Sequence, residues 1–263
     1  MPLQSTIGGA SSRGYGFTSA SKTSINAPLL LDFTTGALDP RIAFTRTSTA
    51  TYYNSAGVLT SASNDVPRFD YDPSSARTNL LTYSEQFDNA VWIKARSTIT
   101  ANTVTAPDGT TTADKLVEDT TASNTHNISQ TITSIASTTY TFSCYLKKAE
   151  RNWAVIVFNN SGVYPAVYID LNSGTIGNIT GSVTATITSV GNGWYRCTAT
   201  VIATSTSLNS YILISTGNGI QVYIGDGTSG IYLWGAQLEA SSTATAYIPT
   251  TASSLTVYTP KGL

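Results

Sequence analysis

The chain has 263 residues, enough for one large β domain with extensions or for two small domains. Hydrophobic residues make up 41%, so a real core can form, while charged residues reach only 11% against roughly a quarter in an ordinary globular domain. The net charge is −1 and the densest basic cluster is Lys147, Lys148 and Arg151, too small for counterion release on a phosphate backbone, so nucleic-acid binding is excluded.

Residues 1–27 are rich in Gly, Ser and Thr. "MPLQSTIGGASSRGYGF" has no apolar h-region, so no secretory signal is expected there. Nor does any run approach the ~18 apolar residues of a membrane span, so membrane insertion is not expected. A segment this polar does not bury enough apolar surface to fold alone. It reads as an extended attachment arm, ordered against a partner, with Tyr15 and Phe17 as its anchors.

From residue 28 the pattern changes, and residues 28–76 read as a small β module or adaptor. "PLLLDF" is a short buried strand. "AFTRTSTATYYNSAGVLTSA" is two strands around a reversal at Asn54-Ser55-Ala56-Gly57. "VPRFDYDP" is extended and ends at Pro73.

Residues 77–250 form the main domain. "NLLTYSEQF" supplies its first strand, with Leu81 and Tyr83 on one face, followed by a turn at Asp88-Asn89. Further strands recur at roughly 10–15 residue intervals with turn signals between them. They are "TYTFSCYLK", "WAVIVF", "AVYIDL", "SVTATITSV", "WYRCTATVIA", "SYILIS" and "QVYIGD". Asn172-Ser173-Gly174 and Gly191-Asn192-Gly193 close two hairpins. No stretch shows helical periodicity with caps. The fold is therefore all-β, and the strand count predicts a two-sheet jelly-roll sandwich. Residues 251–263 are a C-terminal tail.

The chemistry of catalysis is thin. His126 is the only histidine, and no G-x-S-x-G elbow accompanies it. It reads as a polar residue at a strand start. Cys144 and Cys197 sit in the alternating stretches "YTFSCYL" and "WYRCTATV" and read as buried thiols acting as small hydrophobes. No pair of carboxylates stands out for glycosidic chemistry. "APDGTTTAD" places Asp108 and Asp114 around a glycine and "YIGDGTSG" places Asp226 between glycines, an arrangement that serves calcium or, more commonly, turns. No catalytic residue, metal site or cofactor is assigned.

Sugar binding needs less: aromatic faces for C–H stacking, with amides and hydroxyls around them. Trp194 and Trp234 have apolar neighbours and read as core; Trp92 is ambiguous. Trp153 stands at a loop-to-strand junction. Tyr145 and Lys147 face away from Cys144 by strand alternation, and Tyr211 begins "YILIS". If their strands are neighbours, Tyr145, Trp153 and Tyr211, with Lys147, line one glycan-binding sheet face.

The ordered phrases "LDFTTGALDPRIAFTRTSTATYYNSAGVLTSASNDVPRFDYDP", "ARTNLLTYSEQFDNAVW", "APDGTTTADKL", "TYTFSCYLK", "GNGWYRCTATV" and "IYLWGAQLEA…ATAYIPT" resemble a module of tailed-phage structural proteins. These are tail-fibre and related host-contact proteins whose main domain is similar to jelly-roll carbohydrate-binding modules. The resemblance spans about residues 29–252 and fixes no ligand residues. It implies a non-enzymatic virion protein, a short tail fibre or spike, made in the host cytoplasm and released by lysis. Its arm would join other virion proteins, its head would contact a host-surface glycan, and the chain would form a homo-oligomer, a trimer by expectation. The rival readings are a decoration or adaptor protein that binds only other virion proteins, and a glycan-degrading tailspike.

Overall fold

A computed structural model describes residues 37–38 and 42–261. The anchor candidates Tyr15 and Phe17 lie outside them. The chain divides into two compact units, residues 1–75 with 258–263, and residues 76–257.

In the first unit, β1 (Ala50–Tyr53) and β2 (Leu59–Ala62) form an antiparallel hairpin. The reversal falls at the expected residues: the Gly57 N–H bonds the Asn54 carbonyl, and Asn54 Oδ1 accepts from Ala56 and Val58 N–H. Gly57 has φ +71°, and a Cβ there would stand 2.4 Å from the Tyr258 ring, so a side chain is doubly excluded. Asp70 accepts from the Tyr53 N–H at 2.7 Å and pairs with Lys261 at 3.3 Å. The extended segment does not end at Pro73. It continues as β3 (Tyr71–Asn79), paired with β16 (Leu255–Pro260). Proline is tolerated in such a ribbon because each strand pairs on one side only.

The second unit is an all-β jelly-roll sandwich of two six-stranded sheets. Sheet I runs β11 (Thr175–Thr180), β10 (Ala166–Asp170), β9 (Trp153–Asn159), β14 (Ser207–Ser215), β7 (His126–Thr133), β4 (Ile93–Ala95). Sheet II runs β12 (Thr184–Gly191), β13 (Trp194–Ile202), β8 (Thr139–Lys148), β15 (Gly230–Glu239), β6 (Ala113–Glu118), β5 (Ser97–Val104). Inner faces meet in one core that includes Leu116, Ile128, Phe142, Cys144, Ile156, Phe158, Cys197, Ile212 and Leu233, all fully buried. Phe142 and Phe158 meet across it edge-on at 6.5 Å. The two cysteines are free and buried, directly opposite each other in the β8–β13 register. Burial pushes both thiols well above their usual pKa.

Two expected strands are not strands. "NLLTYSEQF" leaves the ladder after Asn79, whose side chain bonds the Ala236 and Ile248 carbonyls and the Leu81 and Leu238 N–H groups. Residues 80–92 then form a chain of turns, with Tyr83 at φ +51°. Their apolar residues still reach the core: Leu81, Phe87 and Trp92 are buried, and the Phe87 and Trp92 rings lie 4.8 Å apart. "QVYIGD" is also a loop, touching the ladder only at the Asn124–Tyr223 bridge. There Glu118 captures the Tyr223 hydroxyl and the Asp226 N–H, and side-chain capture replaces strand pairing. Both hairpins turn where expected, and Gly191, Asn192 and Gly193 all have positive φ.

Candidate functional site

The outward side of sheet I carries a second, smaller apolar cluster. Strand alternation sends Ile156, Ile212 and Ile128 to the core and leaves Val157, Tyr211, Ser129 and Ile93 on the opposite side. In register these four form one row across β9, β14, β7 and β4. The next row is Val155, Leu213, Asn127 and Ala95. Val155, Val157, Ala166, Tyr168 and Leu213 are buried although they face away from the main core.

Along this floor lies a groove of about 410 Å³. Tyr211 and Leu213 contribute to its base, Asn127, Ser129 and Asn209 bring amides and a hydroxyl, and Arg96, Tyr164 and Gln221 approach from loops. Tyr164 is 57% exposed. Asn209 Oδ1 is buried and has no hydrogen-bond partner, an acceptor left free beside the groove. Arg96 has φ +55°, a conformation that aims its side chain at Thr125: Nη2 bonds Oγ1 at 3.0 Å and Nε bonds the carbonyl. Asn127 Nδ2 bonds the same Oγ1 at 3.0 Å. The polar groups on this side are therefore positioned before any ligand arrives, which reduces the ordering cost of binding.

The four residues proposed from sequence do not share this face. Trp153 and Tyr211 are both on sheet I, on the same side, but separated along the strands by two rows, roughly 13 Å at ~3.3 Å per residue. Trp153 lies against the Gly177 backbone, where an added Cβ would be 2.7 Å from its ring. Tyr145 and Lys147 belong to sheet II. Tyr145 does point away from Cys144, and its ring is half-buried rather than freely open to solvent. It packs against Trp234 at 5.3 Å and Tyr247 at 6.0 Å, with the Arg196 guanidinium 5.6 Å from its centre. Trp194, Trp234, Ala106 and Ala113 complete this outer cluster. A loop holds it: Trp194 Nε1 donates to the Thr105 carbonyl at 3.0 Å and Trp234 Nε1 to Thr112 Oγ1 at 3.1 Å. Gly235, at φ +62°, sits in the β15 bulge and admits the Tyr145 ring, which lies 3.0 Å from where its Cβ would stand. Lys147 extends over Trp194, its Nζ 5.9 Å from the ring centre.

Residues that the sequence reading missed are Arg96, Asn127, Ser129, Tyr164, Asn209 and Gln221. Only Tyr164 carried a local signal, an aromatic in the "NNSGVYP" turn. The others enter the groove through register and a positive φ, which no short motif announces.

The acidic candidates resolve into structural roles. Asp108 Oδ1 accepts the Thr110 N–H and hydroxyl. Asp226 accepts from Ser229 and Thr228, bonds that hold its carboxyl well below the usual range. Asp114 is buried, and desolvation raises its pKa to about 6 even though the Asn102 and Phe87 N–H groups bond its oxygens. Glu118 is buried and joined by Arg151, Tyr223 and Asp226. His126 opens β7 and is fully buried, its Nδ1 donating to the Arg96 carbonyl at 2.8 Å and its ring 4.8 Å from Tyr223. Among the described residues, no group of three or more His, Cys, Asp or Glu side chains is placed to hold a metal ion.

No family model matches the chain, and no curated protein matches it. Among solved structures it is similar to the enzymatically active domain of tailspike protein 4 of bacteriophage CBA120, at 15% identity and a TM-score of 0.37, over 61% of this chain and 21% of that one. The chain thus spans about a fifth of that protein's length. The xylan-binding CBM22-1 domain of Paenibacillus barcinonensis Xyn10C is similar at 13% identity and a TM-score of 0.37, over 67% of this chain and all of that one. The mannan-recognising carbohydrate-binding module TmCBM27 is similar at 12% identity and a TM-score of 0.30, over 63% and 99%.

Proposed function

We propose that the jelly-roll unit is a non-catalytic glycan-binding module and that its site is the sheet I groove. The observation that carries this reading is the groove's composition: the Tyr211 and Tyr164 rings beside Asn127, Ser129, Asn209 and Gln221, with one buried amide oxygen unpaired. Sugar C–H faces stack on tyrosine, and hydroxyls satisfy amides. Together with the tail-fibre resemblance of the ordered sequence phrases, this supports a virion host-contact protein whose head meets a surface glycan and whose residues 1–27 attach it to other virion proteins. Single sugar sites bind weakly, so a homotrimer presenting several heads would gain by multivalency.

A second reading, an adaptor that binds only virion proteins, has one observation in its favour. The surroundings of the groove expose aliphatic side chains: Ile93 is 60% exposed, Val163 62% and Val222 57%. Titration of Tyr211→Ala and Tyr164→Ala against host-cell glycans separates the two. At least tenfold weaker binding with the fold retained is the expected result. Unchanged glycan binding by both variants, with loss of incorporation into particles, would establish the adaptor instead.

A further inference from the structure

On the outward side of sheet II, beyond the aromatic cluster, the β12–β13–β8 registers assemble an array of hydroxyls. Thr184, Thr200 and Thr141 form one row and Thr186, Thr198 and Ser143 the next. The third row is Thr188, Arg196 and Tyr145. The Thr186 and Thr198 hydroxyls meet at 2.7 Å and those of Thr141 and Thr200 at 2.8 Å. With the 242–244 loop as a wall, these strands enclose a groove of about 290 Å³ lined by threonines and Arg196.

Arg196 is the exception in this neutral surface. Its Nη2 donates to Ser143 Oγ at 3.1 Å and to the Thr245 carbonyl at 2.6 Å, both uncharged acceptors. Its Nε is buried with no partner. The ion pairs of the described residues engage Lys115, His126, Arg151 and Lys261, and Arg196 is in none of them. Glu239 stands on the same side of the sheet, but its oxygens are taken by Gln237 and Thr245. A half-buried guanidinium held by neutral groups and a ring face lacks the counter-charge that such a group ordinarily has.

We infer that this groove is a second binding site, distinct from the sheet I groove, and that it takes an acidic saccharide. The carboxylate of a uronic or sialic acid supplies the missing counter-charge at Arg196, and the sugar hydroxyls exchange hydrogen bonds with the threonine rows. Hydroxyls both donate and accept, so the array suits a polyol better than a bare anion. The volume also exceeds what a single inorganic anion fills. Arginine suits this role because its guanidinium stays charged and is weakly hydrated, so a carboxylate pairs with it at low desolvation cost.

The test is calorimetric titration of the full chain with oligogalacturonate and a sialyl-oligosaccharide, with the methyl ester of the former as its uncharged counterpart and inorganic sulfate as competitor. At least one acidic probe should bind, the ester at least tenfold more weakly. Arg196→Gln should weaken acidic binding at least tenfold. Because Arg196 also braces the 242–247 loop, Thr188→Glu is the companion variant: it faces Arg196 in the register, is exposed, and places a carboxylate where the ligand's belongs. It should abolish acidic binding without lowering the melting temperature. Tyr211→Ala should leave acidic binding intact, so this site and the sheet I groove fail independently. The inference is overturned if neither acidic probe binds, if Arg196→Gln and Thr188→Glu bind as the parent does, or if sulfate alone displaces the sugar at equal concentration.

Discussion

Tyr145 and Tyr211 hold matching places in the two sheets. Each lies on a strand running through the middle of its sheet, and each points away from the shared core. Both are half-buried, yet Tyr145 packs against Trp234 and Tyr247 in a cluster whose indoles a loop bonds, while Tyr211 lines a groove. Strand alternation says which way a ring points. Whether a loop from elsewhere in the chain covers that side decides if the ring serves stability or recognition.

The sharpest way to break this contrast is at the covered end. Trp194 is 1% exposed and bonded to Thr105, so Trp194→Ala should cost about 3–5 kcal/mol in denaturant unfolding. A loss below 1 kcal/mol would mean that the outer cluster is incidental. Tyr145→Ala should cost about 2 kcal/mol, less because the ring is only half-buried. Sheet I glycan binding should not change with it. Tyr211→Ala should show the reverse, with binding lost and stability changed by about 1 kcal/mol or less.

A pH measurement probes sheet II separately, because Asp114 is a buried residue of its strand β6, bonded by the Phe87 and Asn102 N–H groups. Its folded pKa of about 6 stands above the ordinary carboxylate value of 3.8, so the folded state holds the proton more tightly. The associated stability is present in full below pH ~4 and is lost as pH rises through ~6. The shift corresponds to about 3 kcal/mol, which partial solvent screening reduces to about 2. Burial raises Glu85 in the same direction, while Asp226 and Asp119 are lowered and act at more acid pH. Subtracting the Asp114→Asn curve from that of the parent removes these other groups. The difference should fall by about 2 kcal/mol between pH 4 and 6.5. A flat difference would show that the carboxyl is better solvated than its burial implies.

Much of the fold was legible because the relevant interactions are local. Alternation in "TYTFSCYL" and "WAVIVF" marks the inward residues, and Gly191-Asn192-Gly193 fixes a turn through its own φ preferences. These patterns determined the all-β class, the hairpins, and the burial of Cys144, Cys197 and Trp194. Tertiary structure alone decided the rest. "NLLTYSEQF" has strand composition, but Asn79 ends the ladder by bonding backbone 157 to 169 residues away. "QVYIGD" is drawn out of the sheet by Glu118, more than 100 residues earlier. Tyr145 and Tyr211 look alike in sequence, and their separation into different sheets follows from a strand order in which β8 lies between β13 and β15 while β14 lies between β9 and β7. That order is set by which long-range pairings bury the most apolar surface together, a property of the whole chain that no window of residues carries.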